Sequence, residues 1–208
     1  MTFSTKLAVI ALAVGSTFAT SAFATTNVWD SATPWGDATP VQYVEWNTFD
    51  SVAGDSTPEI GAGSITLTPP AMISMDGDGI YTLFSVPTIT ATLTGTAGVF
   101  DVYLRTATQG RTLETEATLN GVSASTLVNY TGVGSHGDEQ EQFWVWTNVS
   151  GADLYTFEFK ASSAHILIDQ VALATIAVAA VPEPSTYAML ALGLGILGAA
   201  GRRARKQG

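Results

Sequence analysis

Thr88, Thr90, Thr92, Thr94 and Thr96 alternate with Ile89, Ala91, Leu93 and Gly95, and this limits the fold more tightly than any other feature of the chain. A period of two puts all five hydroxyls on one side of an extended strand and the apolar side chains on the other. Ser64, Thr66 and Thr68 repeat the pattern. Alternating runs of this kind predict strands over 41–49, 64–68, 79–86, 88–96, 99–105, 112–119, 125–130, 142–149, 154–160 and 164–175. In 154–160, Tyr155, Phe157 and Phe159 share the side expected to be core, opposite Glu158 and Lys160. In 99–105, Phe100, Val102 and Leu104 should point inward, and Asp101, Tyr103 and Arg105 outward. Asn120-Gly121 between two strand-like runs predicts a tight hairpin. Between residues 25 and 180 no run follows the helical period. About ten short strands separated by turns predict an all-β domain, a β-sandwich.

The two ends break this pattern. Lys6, the apolar run Leu7 to Val14 and the small-x-small triplet Ala22-Phe23-Ala24 follow one another in the order of a secretory signal peptide. Cleavage after Ala24 would leave Thr25 as the first residue of the mature chain. At the other end, Val181-Pro182-Glu183-Pro184-Ser185-Thr186 precedes an uncharged run from Tyr187 to Ala200. Counted from Ser185 to Gly201, that run reaches the lower edge of the length needed to span a bilayer as a helix, roughly 17–25 residues. Arg202, Arg203, Arg205 and Lys206 follow it and should remain cytoplasmic under the positive-inside rule. Pro182 and Pro184 each disfavour helix in the residue before them, so the motif should be extended, the backbone form that a protease grips. The expected organisation is a signal peptide at 1–24, an ectodomain at 25–180 and a tail at 181–208. The tail divides into a motif at 181–186, one transmembrane helix at 186–201 and a basic cytoplasmic end at 202–208.

This tail resembles the PEP-CTERM sorting domain of exported proteins in Gram-negative bacteria. The resemblance implies that an exosortase, an integral membrane enzyme, recognises Pro182, Glu183 and Pro184 and cuts near them. It implies that Arg202, Arg203, Arg205 and Lys206 retain the precursor in the inner membrane until then. It further implies a final place on the cell surface or in the extracellular matrix, among hosts that make exopolysaccharide and form biofilm. The tail is silent about the chemistry of residues 25–180.

Charge narrows that chemistry. Of the chain's 18 acids, 17 lie within 25–180 against three bases, Arg105, Arg111 and Lys160, a formal charge of −14. Nucleic acid is excluded as a partner, because phosphate contacts need a cationic surface. Cysteine is absent, which excludes thiol catalysis, cysteine-ligated zinc and iron–sulfur clusters and leaves stability to packing.

The run Phe100-Asp101-Val102-Tyr103-Leu104 and the closing run from His165 to Leu173 resemble jelly-roll carbohydrate-binding modules, although Gln170 departs from the acid usual there. That resemblance implies a structural Ca²⁺ held by Asp169 with an early-strand acid, Glu45 being the first candidate. No other cofactor is expected. Trp144 and Trp146 fall on one face of their strand, and two exposed indoles in that arrangement would form a platform for sugar rings. Trp29, Trp35 and Trp46 are candidates either to join that site or to pack over the sandwich. The Thr stripes are a candidate hydroxyl surface for polysaccharide or ice, set against ordinary solvent-facing threonine. Neither His136 nor His165 belongs to a nucleophile motif. The expectation is a non-enzymatic surface or matrix protein with a structural or adhesive role. A divergent glycan hydrolase or lyase is the alternative, and an ice-binding surface a minor one.

Overall fold

A computed structural model describes residues 29–74, 79–134, 136–179, 189–194 and 196. Among the described residues thirteen strands, in chain order, build two antiparallel sheets. They are β1 (Gln42–Trp46), β2 (Gly54–Asp55), β3 (Gly63–Thr68), β4 (Met72–Ile73), β5 (Ile80–Tyr81), β6 (Thr88–Thr94) and β7 (Val99–Gln109). They continue with β8 (Glu116–Leu119), β9 (Val122–Ser125), β10 (Leu127–Gly134), β11 (Gly137–Ser150), β12 (Leu154–Lys160) and β13 (Leu167–Ala177). One sheet runs β10-β11-β7-β13-β5-β4, with β1 also paired to β13; we call it the strapped sheet. The other, the hydroxyl sheet, runs β2-β3-β6-β12-β8-β9. The all-β sandwich expected from the alternation is the architecture observed.

The core lies where the inner faces meet. Trp144 and Trp146 on β11 stand opposite Leu104 and Val102 on β7. They face Phe159 and Phe157 of the other sheet, with ring centroids 6.5 and 5.7 Å apart. Tyr155, Phe157 and Phe159 are all buried, as their alternation required. Truncating a core aromatic of this size costs about 3–5 kcal/mol, so these rings hold the sheets together.

The Asn120-Gly121 hairpin forms as expected. Asn120 (φ 49°) and Gly121 (φ 82°) both adopt positive φ, and Leu119 pairs with Val122 across the turn. Several strand bounds differ from expectation. The run 112–119 contributes a strand only over Glu116–Leu119. The run 125–130 is split, because Thr126 is the corner at which the chain leaves the hydroxyl sheet for the strapped one; its amide bonds Thr115 O at 2.7 Å. The run 79–86 forms a strand only at Ile80–Tyr81; beyond it the Thr82 amide still bonds Ile166 O at 2.9 Å, but the facing chain turns away at His165, where φ is 65°. β1 stops at Trp46, where the Asn47 amide turns to the Glu59 carboxylate at 2.8 Å.

Candidate functional site

The middle of the strapped sheet's outer face is covered, whereas Leu127 at its β10 edge stays 53% exposed. Residues 29–38 cross the face as a strap. Tyr43, Glu45, Tyr103, Arg105, Glu141 and Phe143 all project from this face, by the register of β1, β13, β7 and β11. Arg105 and Glu141 form an ion pair at 2.8 Å, with side chains 2% and 1% exposed. The strap closes around that pair. Arg105 Nη2 donates to Ser31 O at 2.7 Å and to Ser31 Oγ at 2.8 Å. The Ser31 hydroxyl and the Asp30 amide donate to the Glu141 carboxylate. Asn129 Nδ2 donates to Ser31 Oγ and Ala32 O at 2.7 and 2.9 Å.

Two indoles seal the strap. The Arg105 guanidinium lies 4.0 Å from the centre of the Trp29 ring, a cation–π contact. Trp29 Nε1 donates to Glu45 at 3.1 Å, and the Tyr43 hydroxyl donates to the same carboxylate. Burial, and then the Glu45 charge, push the Tyr43 hydroxyl far above the ordinary phenol range. Trp35 stacks edge-on against Tyr43 and Tyr103 at 5.9 and 5.6 Å. Arg105 therefore points outward, as its alternation required, yet is buried by a segment 74 residues away in sequence.

A cluster of acids flanks the strap. Glu139 is pushed above the usual carboxylate range by partial burial first, then by Asp30, Asp169 and Glu141 nearby. A carboxylate raised in this way opposes folding at neutral pH, and the cost fades as pH falls through the raised folded value toward the unfolded one, about 4.3. Glu139→Gln is therefore expected to raise the melting temperature at pH 7 by about 1–2 °C. The gain should vanish near pH 4. Calorimetry at both pH values checks this, and an equal gain at both would contradict it.

The other sequence-derived candidates are distributed differently. Trp144 and Trp146 are 0% and 5% exposed, and their indole nitrogens donate to Thr115 O at 3.0 Å and Val122 O at 2.7 Å. This corrects the sugar-platform expectation: the face they share is the core face, and rings of this size fill the gap between the sheets. Trp46 is also core, whereas Trp29 and Trp35 belong to the strap. The structure does not join Glu45 and Asp169 in one calcium site. Glu45 is held by Tyr43 and Trp29. Asp169 sits at a register shift of β13 and accepts a bond from Gln109 at 3.4 Å. Among the described residues no group of three or more His, Asp or Glu is arranged to hold a metal ion.

The Thr stripes do come together. On the outer face of the hydroxyl sheet Ser64 pairs with Thr92, Thr66 with Thr90 and Thr68 with Thr88. Ser64 and Thr92 share a hydroxyl–hydroxyl bond of 2.8 Å. Thr156, Glu158 and Lys160 continue the rows on β12.

Ala22, Ala24, Thr25, Pro182, Glu183, Pro184, Arg202, Arg203, Arg205 and Lys206 all lie outside the described residues. Residues 189–194 and 196, inside the apolar run, are helical and exposed. Among the described residues no helix is long and apolar enough to cross a membrane. Compared with known families, residues 180–206 match the PEP-CTERM protein-sorting motif. No curated protein and no solved structure matches the chain. The motif marks a surface protein targeted to an exosortase: exported, anchored in the membrane before processing, and delivered to the cell surface.

Proposed function

We propose that the sandwich is a non-catalytic module of the extracellular matrix, with a structural or adhesive role, and that it meets exopolysaccharide through the outer face of the hydroxyl sheet. One observation carries this reading: two hydroxyl stripes from separate strands fall into register on one face, where Thr66 and Thr68 are exposed. Strands spaced by about 4.8 Å, with same-face residues about 6.8 Å apart along each, present a lattice of donors and acceptors to a chain of sugar hydroxyls. The sorting motif supports the same reading by placing the domain on the cell surface, where such polymers lie.

The test is retention of host exopolysaccharide by the exported domain. Thr66→Glu sets a charge on an exposed position in the middle of the lattice and should weaken retention about tenfold, roughly the 1–3 kcal/mol that goes with unmade polar contacts. Equal retention by Thr66→Glu and the parent would overturn the assignment to this face.

The catalytic alternative, a glycan hydrolase or lyase, would draw on the raised Glu139. A groove lined by Arg111, Asp138, Glu139, Ser162 and Ser163 gives that residue an approach. Against this, its neighbour Glu141 is engaged by Arg105 and Ser31. Release of shortened glycan, lost in Glu139→Gln, would favour the alternative.

A further inference from the structure

β13 is the last strand, and the tail leaves from its end. The Val178 amide bonds Val99 O at 3.0 Å, which ties the exit point to the start of β7. Pro182 follows Val178 by only four residues, a reach of about 14 Å even when fully stretched. That is close to the radius of gyration of a 100-residue domain, about 13 Å. An enzyme that closes around Pro182, Glu183 and Pro184 therefore meets the end of the sandwich as well.

That end has a definite surface. Loop 95–98 and loop 150–153 interlock there: Gly151 N donates to Gly98 O at 2.8 Å and Gly95 N to Asp153 O at 2.9 Å. A β-carbon at Gly95 would lie 1.8 Å from Ala152 O, and one at Gly151 2.2 Å from Thr96 O, so both positions require glycine. Val41, Val99 and Leu154 surround the loops at 50%, 46% and 50% exposure. Val41 joins them through its amide bond to Thr175 O at 2.8 Å. In a domain of formal charge −14, residues 95–99 and 150–154 carry one charge, Asp153.

We propose that this end, built from loops 95–98 and 150–153 with Val41, Val99 and Leu154, is a docking face for the outer surface of the exosortase. The inference rests on the reading of residues 180–206 as a sorting signal. A protein partner fits better than a lipid surface. The face lacks the Lys, Arg, Trp and Tyr that seat a domain among headgroups, and presents low, interlocked loops edged by aliphatic side chains.

The test uses the full-length chain in its own membrane. Ala97→Trp adds bulk at an exposed loop position and should slow conversion of precursor to processed protein at least fivefold in a pulse-chase. Ten Gly-Ser residues inserted after Ala179 of the parent should slow conversion to a similar degree by separating the face from the cut, and the same insertion should leave Ala97→Trp slow. Because the chain has no cysteine, Thr96→Cys supplies a unique thiol for a short photo-crosslinker, which should capture a tagged exosortase. Three results would each overturn the docking face: Ala97→Trp processed at the parent rate, rescue of Ala97→Trp by the long tether, which marks a clash and not a contact, or crosslinks to lipid alone. Replacing Pro182, Glu183 and Pro184 with alanine is run alongside. If that variant is blocked while Ala97→Trp is unaffected, the docking face fails and the sorting reading stands. If the alanine variant is processed normally, the sorting reading fails and the docking face with it.

Discussion

Arg105→Ala will destabilise the domain by about 3–5 kcal/mol, a large share of the stability of a fold this size. The reason lies in what it leaves behind. Glu141 is 1% exposed and would keep its charge without its counter-ion. The strap would lose its two bonds from the guanidinium to Ser31, and Trp29 its cation. Urea unfolding of the exported domain measures the loss directly. Replacing both partners, Arg105→Met with Glu141→Leu, should recover most of it, since a buried ion pair contributes little beyond a packed apolar pair of similar volume. A cost below about 1 kcal/mol for Arg105→Ala would show that the strap does not depend on the ion pair. Limited proteolysis separates strap release from global unfolding: in Arg105→Ala, cleavage within residues 29–38 should precede loss of the sandwich.

Alanine at Pro182, Glu183 and Pro184 should abolish processing, so that the full-length precursor accumulates in the inner membrane. Residues 180–206 match the sorting motif, and the resemblance assigns recognition to these three residues. Without the two prolines, the steric bar that keeps Val181 and Glu183 out of helix is gone, and an extended grip becomes one conformation among several. Membrane fractionation with mass spectrometry of the mature C-terminus checks the outcome. Normal release of the triple-alanine protein would count against exosortase recognition.

The sheets were legible in the sequence because alternation is a local property. Tyr155, Phe157 and Phe159 could face only one way, and the Asn120-Gly121 turn announces its own geometry. Alternation reports which residues share a face, but not what lies against that face. On β11, Phe143 and Val145 are as apolar as Trp144 and Trp146, so period two alone could not say which pair was core. The ambiguity has a structural cause: the strapped sheet is covered on both sides, by the other sheet and by residues 29–38. Arg105 shows the same limit. Its outward direction was readable, but its burial depends on a partner 74 residues away. One of only three basic residues in an acidic domain, with two tryptophans in an unpatterned N-terminal stretch, was the available signal. The register between Ser64–Thr68 and Thr88–Thr94 was likewise a matter of pairing, which neither stripe could specify alone.

The position of β13 has a consequence for biogenesis. It is the final strand to be synthesised, yet it lies between β7 on one side and β1 and β5 on the other. Until it arrives, β1 and β5 have no strand joining them to β7, and the sheet stays divided. In the exported, membrane-anchored precursor the sorting motif begins within a few residues of the end of β13, so the strand that joins the two parts of the sheet is also the one nearest the anchor.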